Sequence, residues 1–513
     1  MKAFLMYPDR DFDHAKALPP NAASLTQDLE LATLFRASAR GDDFLAGVIR
    51  QAVLNGLADP EAILYRQRIL ADCLAHPVVV REMYALTVEA LDAEKKIWRA
   101  FWNSPDVLLH RSVEVLGLFV GFLKRLRAIS DERAHLFQSE GLVRLCAMLT
   151  DELDDTYVRT IETRLAELRF RRGVMISARL GPGNKGIHHV LRTPPGQRTW
   201  KERIFSGNHT DHSFQIADRD EAGFRAVAEL RGKGINLVAN ALAQSSDHIL
   251  GFFGMLRAEL GFYVACMNLH EQLTGQGEPT CVPVPVPAGS VELSAHGLYD
   301  PCLALTTGSQ VVGNDVHAGR RSTVMITGAN QGGKSTFLRS VGIAQLMMQS
   351  GMFVAADGFT ANVCPQVFTH FRRGEDVSMQ SGKLDEELAR MSDVADHIGP
   401  HCMLLCNESF AATNEREGSE IARQIISALT PAGIRILFVT HLFDLAHGLY
   451  TESPRTALFL RAEREADGRR TFRLVEGEPL PTSFGEDSYR RIFGPPEASA
   501  EVEIGSARGA GAR

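Results

Sequence analysis

From about Asn21 to Asp155, apolar residues recur at three- and four-residue steps, as in Leu31, Leu34 and Phe35 and again in Ile63, Leu64 and Leu70. That spacing matches the 3.6-residue repeat of a helix with one buried face. Asp59-Pro60-Glu61 marks one helix start, with an acceptor side chain ahead of a proline at the first helical position. Few strand-like runs interrupt the pattern, so a helical domain is expected. Between Arg169 and Arg203 the pattern changes. Gly173 to Leu180 and Ile187 to Arg192 read as two strands around a glycine turn, Gly181 to Gly186. A long helix is expected next. Leu242, Ile249, Phe253, Leu256, Leu260, Tyr263 and Met267 form a heptad-like seam that fits packing against helices of the same domain. The helix ends at the proline-rich stretch Glu278 to Pro287, which predicts a semi-rigid hinge or an edge segment.

Beyond the prolines the apolar runs are short. Thr323 to Thr327, Cys402 to Cys406 and Ile434 to Thr440 read as buried strands, and an amphipathic helix carrying Phe337, Leu338, Val341, Leu346 and Met347 follows the first. Strands alternating with helices predict an α/β domain with a mainly parallel sheet.

Composition narrows the function classes. At 513 residues the chain is long enough for two or three domains, and 45% hydrophobic with 23% charged residues excludes a wholly disordered protein. The balance of 55 basic against 62 acidic residues, a net −7, excludes a globally basic nucleic-acid binder. Any nucleic-acid contact must come from a local basic face. The hairpin region supplies one: Arg169, Arg171, Arg172, Arg179, Lys185, Arg192, Arg198, Lys201 and Arg203 stand against a single acid, Glu202. A solvated hairpin beside an acidic neighbour and a surface that contacts phosphate backbone both fit. The 8 cysteines are scattered, and the nearest pair, Cys402 and Cys406, lacks zinc-ligand spacing, which suits reduced intracellular thiols. The N-terminus has no signal-peptide pattern. The longest uninterrupted apolar stretch in the first half, Val115 to Leu123, is well short of the roughly 20 residues of a membrane span. A soluble, cytoplasmic protein with no membrane partner is expected.

The candidate chemistry lies after the prolines. Gly328-Ala329-Asn330-Gln331-Gly332-Gly333-Lys334-Ser335, with Thr336 following, stands between a strand and a helix and has the spacing of a phosphate-binding P-loop. Glycines let backbone N–H groups turn toward phosphates, and the helix N-terminus adds partial positive charge. Lys334 can reach the β- and γ-phosphates, and Ser335 a magnesium ion. The second strand delivers Asn407 and Glu408, a position from which ATPases hold the magnesium water shell and orient the attacking water; here the first of the pair is Asn and not Asp. The third strand ends at His441, which either serves the strand end or contacts the γ-phosphate. ATP and Mg2+ are the expected ligands.

At these residues the sequence resembles the mismatch-repair MutS family, whose P-loop reads TGPNMGGKST against Thr327-Gly-Ala-Asn-Gln-Gly-Gly-Lys-Ser-Thr336 here. Gly297-Leu-Tyr-Asp-Pro301, Val312-Gly-Asn-Asp315, Gly351-Met-Phe-Val354, Asn407-Glu-Ser-Phe-Ala-Ala-Thr413, Phe438-Val-Thr-His441 and Ser483-Phe-Gly485 follow in the family's order. The likeness covers about 290–495 and, more weakly, 24–275, notably Asp59-Pro-Glu-Ala-Ile-Leu-Tyr-Arg-Gln67. With the patterns above it gives an N-terminal extension (1–23), an all-α core and lever domain with a small β insertion (24–275), a proline-rich connector (276–290) and an α/β P-loop NTPase domain (291–496), while a composition rich in Ala, Gly, Ser and Glu predicts a disordered tail (497–513). It also implies a homodimer through the ATPase domains and contact with duplex or branched DNA, through Arg179, Lys185 and Arg192 if the hairpin serves.

The chain departs from the family in several places. Its one Phe-x-Glu, Phe484 to Glu486, lies behind the ATPase, so the family's mismatch-reading wedge is not expected. The family's Ser-Thr-Phe that reaches across the dimer aligns with Leu384-Asp385-Glu386, after Ser381-Gly-Lys383, and its adenine-stacking aromatic aligns near Val311. Two readings follow: an ATP-dependent DNA-binding clamp, or an ATP-gated dimeric scaffold with little hydrolysis and no DNA contact. A metabolic P-loop kinase fits poorly, because a long helical lever has no use there.

Overall fold

The computed structural model describes residues 1–97, 104–171, 173–193, 213–373, 382–452, 456–465 and 468–481. The first part of the chain is helical: α1 Ala22–Asp28, α2 Leu31–Ala39, α3 Asp43–Leu54, α4 Pro60–Ala75, α5 Pro77–Lys96, α6 Pro105–Arg133, α7 Glu140–Glu152 and α8 Asp155–Glu167. Local signals set several of the starts. Asp59 caps α4 by accepting from the Glu61 N–H at 3.2 Å, with Pro60 at the first helical position. A hairpin follows, β1 Met175–Leu180 against β2 Gly186–Arg192, and then a 55-residue helix, α9 Glu221–Gly275.

From Ala258 to Leu269, α9 is buried on every side. Phe262 to Met267 is buried without a break, which is why its pattern there is denser than a single seam. Phe253, Leu256, Leu260, Tyr263 and Met267 all face core, so the seam is used within the chain. One window of α9 is long and apolar enough to match a membrane span by length and composition, and 67% of that window is buried inside the protein. The N-terminal segment is also interior: Leu5 and Met6 are fully buried. Tyr263 donates to the Leu5 carbonyl at 2.6 Å, and the Glu259 carboxylate accepts from the Leu5 and Phe12 amides at 2.6 and 3.1 Å. Burial pushes the Glu259 carboxyl up to about 7.

The second part comprises β3 Val284–Val286, β4 Leu293–Leu298, α10 Pro301–Thr307, β5 Asn314–His317, β6 Thr323–Gly328, α11 Lys334–Gln349, β7 Gly358–Asn362, β8 Val367–Phe371, α12 Lys383–His397, β9 Met403–Asn407, α13 Glu415–Leu429, β10 Arg435–Val439, α14 Phe443–Glu452, β11 Ala457–Arg464 and β12 Arg470–Glu476. Six strands form one sheet in the order β12-β11-β6-β10-β9-β8, parallel except for the β11–β12 hairpin. A four-stranded sheet, β3-β7-β4-β5, lies beside it. The proline-rich stretch supplies β3, which among the described residues pairs with β7 alone, so it is an edge segment and not a free hinge.

Alternation along the central strands divides the core. Met403, Leu405, Leu437 and Val439 face α11 and the helical part, in a cluster that runs from Ala3 to Leu474. Leu404, Cys406, Ile436 and Phe438 face the opposite way, toward α12, α13 and α14. A strand buried on both faces reads as a continuous apolar run, which is what the sequence carries. The chain is therefore multidomain, a helical core joined to an α/β domain with a parallel-rich sheet. One expectation needs correcting. The helix after the P-loop is buried all round and not amphipathic, because it is wedged between the two sheets and α3. Most of its buried polar atoms find partners: Gln345 donates to the Asn362 carbonyl at 2.9 Å, and Gln349 donates to the Leu57 and Cys364 carbonyls at 3.0 and 2.8 Å, while Gln345 Oε1 has none.

Candidate functional site

The phosphate loop joins β6 in the middle of the sheet to the N-terminus of α11. Its shape depends on glycines at close quarters. Gly328 has φ 104°, and a Cβ there would lie 2.9 Å from the Ala462 amide of β11; one at Gly332 would lie 2.7 Å from the Ala462 Cβ. Gly333, at φ 88°, caps α11 and leaves the helix N-terminus open. Asn330 and Gln331 are exposed, Ala329 is buried, and Thr336 is half-buried at the start of α11.

Lys334 is 6% exposed. Its ammonium donates to the Gly328 and Ala329 carbonyls at 2.7 and 3.0 Å, leaving one of its three protons for a phosphate oxygen. Burial lowers its pKa; the nearby charge of Glu408 opposes that shift and the charge of Arg470 adds to it. Ser335 Oγ donates to Asn407 Oδ1 at 2.9 Å. The hydroxyl on α11 and the amide at the end of β9 thus meet, on the line where a magnesium ion bound to phosphate would need oxygen ligands. Among the described residues no group of three or more His, Cys, Asp or Glu could hold a metal without such a partner. The donor set fits a triphosphate and its magnesium: backbone N–H groups at a helix N-terminus, one buried ammonium and one hydroxyl.

Glu408 follows β9 at φ 54°, with its amide held by the Val439 carbonyl of β10 at 2.8 Å and its carboxylate 3.8 Å from the Arg372 guanidinium. His441 lies at the end of β10, the strand between β6 and β9, and is exposed. The Thr440 amide bonds to the Ile326 carbonyl at 3.0 Å, which sets His441 at the same sheet edge as the P-loop. Gly328 to Thr336, Asn407, Glu408 and His441 therefore share one edge.

Arg179, Lys185 and Arg192 stand elsewhere, exposed on the β1–β2 hairpin. Ile176 turns inward, against Gly234 of α9, while Arg192 pairs with Met175 and donates to Ser177 at 2.9 Å on the other face. Of the remaining basic residues of that region, Arg169 and Arg171 are exposed, and Arg172, Arg198, Lys201 and Arg203 lie outside the described residues, as do Ser381, Ser483 to Glu486 and the tail from 497. Leu384, Asp385 and Glu386 form the first turn of α12.

Sequence reasoning missed Phe472. A cavity of about 400 Å³ beside the P-loop is lined by Gln331, Gly333 and Thr336 on one side and by Leu298, Val312 and Phe472 on others. Val311 also lines it, and cannot stack on a base. Phe472, at φ 61° in β12, is 49% exposed, and its carbonyl is held by Asn314 Nδ2 at 3.1 Å. The available signal was an aromatic ring among polar residues in Arg470-Thr-Phe-Arg473.

Comparison with known proteins bears on both parts of the chain. The family model described as the MutS2 N-terminal domain matches residues 58–276, and that of MutS domain V matches residues 324–498. Proteins named endonuclease MutS2 from Streptococcus pneumoniae serotype 19F (strain G54), strain Taiwan19F-14 and strain Hungary19A-6 are each 30% identical over 174 residues, which is 33% of this chain and 22% of theirs. The matched stretch spans about a fifth of the length of these curated relatives.

Proposed function

Because the chain belongs to the MutS family, we propose that it is an ATP-dependent DNA-binding protein that acts in DNA repair or DNA-structure processing. The observation that carries this reading is the convergence of Lys334, Ser335, Asn407 and Glu408 at one sheet edge. In this reading the N-terminus of α11 and Lys334 hold the β- and γ-phosphates, Ser335 and Asn407 face the magnesium, and Glu408 accepts the proton of the attacking water. The metal supplies charge neutralisation of the phosphate oxygens. His441 is assigned the γ-phosphate side, and Phe472 the platform under adenine. Two chains pair through their ATPase domains, and ATP binding moves α9 and the hairpin it carries. Arg179, Lys185 and Arg192 then contact DNA backbone.

The Asn at 407 favours a second reading, an ATP-gated scaffold with weak turnover, since it brings one negative charge fewer to the metal than an Asp would. One experiment separates the two. Binding to duplex and branched DNA is measured with and without ATP over a salt series. The clamp reading expects little sequence dependence, because the hairpin offers phosphate-binding side chains with little base-reading chemistry. It expects a log–log salt slope of roughly −3 to −5, because only part of the basic set can face one duplex. Reversing Arg179, Lys185 and Arg192 to Glu should flatten the slope and leave ATP affinity intact. A parent with no salt-sensitive binding, or a triple variant that binds as the parent does, overturns the DNA assignment in favour of the scaffold.

A further inference from the structure

Glu408 sits in a turn that three separate segments hold. Both Glu408 and Phe410 have positive φ, 54° and 63°. Such conformations are strained and persist only where their surroundings over-determine them. The surroundings here begin with His370 on β8, which is fully buried. Burial, with the charge of Arg390, lowers its pKa to about 4, so the ring is neutral. Its Nε2 lies 3.0 Å from the Glu387 carbonyl, which can only accept. The Nε2–H therefore donates there, and Ser409 Oγ lies 2.7 Å from both Nδ1 and the His370 carbonyl, sharing its one proton between them. The Glu387 side chain, 3% exposed on α12, accepts the Phe410 amide at 2.7 Å. The Phe410 ring stacks on His370 with centroids 5.3 Å apart. From the far side α13 closes in through Gly418, where a Cβ would lie 2.4 Å from the Phe410 carbonyl oxygen.

Among the described residues none of these contacts involves the phosphate loop, yet together they fix the residues on either side of Ser409. We propose that Glu387 is a positioning residue for Glu408: its carboxylate, acting with His370 and Ser409, holds the turn that aims Glu408 at the γ-phosphate end of the P-loop. The inference rests on the reading of Glu408 as the proton acceptor. It adds a route of control. Glu387 lies one helical turn after Lys383, so a contact that shifts the first turn of α12 also shifts the amide that Glu387 holds. What touches the segment Leu384-Asp385-Glu386 is then read out as a change in hydrolysis rate and not in nucleotide affinity.

The test compares Glu387→Ala, Glu387→Gln and Glu408→Gln in the full chain, measuring ATP Kd and kcat separately. Glutamine retains an oxygen that accepts the Phe410 amide, and alanine does not. Expected are an unchanged Kd in all three, no turnover in Glu408→Gln, and a kcat lowered by about 100-fold in Glu387→Ala, the scale of loss for a displaced catalytic group. Glu387→Gln should return kcat close to the parent. If Glu408→Gln is inactive while Glu387→Ala turns over as the parent does, the positioning role is wrong and the assignment of Glu408 stands. If Glu387→Ala weakens Kd as much as kcat, or Glu387→Gln is as impaired as alanine, Glu387 serves the fold only. If Glu408→Gln hydrolyses at the parent rate, the assignment of Glu408 fails and the inference falls with it. Should Glu387→Ala not fold, Ser409→Ala replaces it, with the same split between kcat and Kd expected and a parental kcat overturning the proposal.

Discussion

Phe472 combines a positive φ of 61° with a half-exposed ring beside the P-loop. The Asn314 side chain makes that conformation affordable to the strand: it donates to the Phe472 carbonyl and accepts the Leu474 amide at 2.7 Å, so the backbone on both sides is tied down. Stacking of a base on an aromatic side chain contributes about 1–3 kcal/mol. Phe472→Ala is therefore expected to weaken ATP binding by roughly 5- to 100-fold with little change in kcat, read by calorimetric titration; parental affinity would remove the ring from the site. His370 gives a pH prediction. Its folded pKa, about 4, lies below its ordinary 6.5, so the stability tied to its neutral form is complete above pH 6.5. As pH falls toward 4 the unfolded chain takes up a proton that the folded chain does not, and stability declines by roughly 3 kcal/mol. Denaturant unfolding at pH 7 and pH 4.5 should show a smaller decline in His370→Asn than in the parent. Equal declines would mean the ring already titrates normally.

At the scale of elements, α11 shows how a helix start and a helix end can be fixed by different devices. Its start is the glycine loop. Its end is Gly351, at φ 83°, where a Cβ would meet the Arg66 Cβ at 2.4 Å. Gly351→Ala combines left-handed strain with overpacking and should destabilise by about 2–4 kcal/mol in thermal or denaturant unfolding. A change under about 0.5 kcal/mol would show that the end of α11 yields freely. The start of α11 was legible in the sequence because a P-loop is a local pattern: spacing, strand and helix all lie within Thr323 to Met347. The central strands were legible for a similar reason, since burial on both faces writes an unbroken apolar run. The turn at Glu408 was not. His370, Glu387 and Gly418 come from β8, α12 and α13, and no local spacing links them to Ser409. Nor was the all-round burial of α11, because Ser340, Gln345 and Gln349 read as a polar face and instead donate to carbonyls inside the protein.

Across the whole molecule the two parts share interior. The apolar cluster that includes Leu5 and Leu269 also includes Leu338, Leu405 and Leu458. Arg66, 1% exposed on α4, bonds to the Met6 carbonyl at 2.8 Å and to the Ser350 carbonyl at 3.2 Å, joining the N-terminal segment, the helices and the end of α11. The N-terminal segment around Leu5 and Met6 is part of this joint. Arg66→Met keeps most of the side-chain volume and strands two buried carbonyls, at about 1–3 kcal/mol each. The parent should unfold in a single calorimetric transition and the variant in two, as the helical and α/β parts come apart. A single transition in both would mean that the shared apolar core suffices to couple them.

The 55-residue helix has a mechanical consequence. From Phe252 to its first residue at Glu221 it extends about 45 Å at 1.5 Å per residue, packed along α6 and the hairpin. A rotation of about 5° at the seated end sweeps the far end through roughly 4 Å, close to the 3.4 Å rise of one base pair. The gear ratio is high: a displacement at the seated end too small to break a hydrogen bond becomes several ångströms at the hairpin end. The same ratio works in reverse, so a push at the tip returns to the seated end as a small angle delivered with large torque.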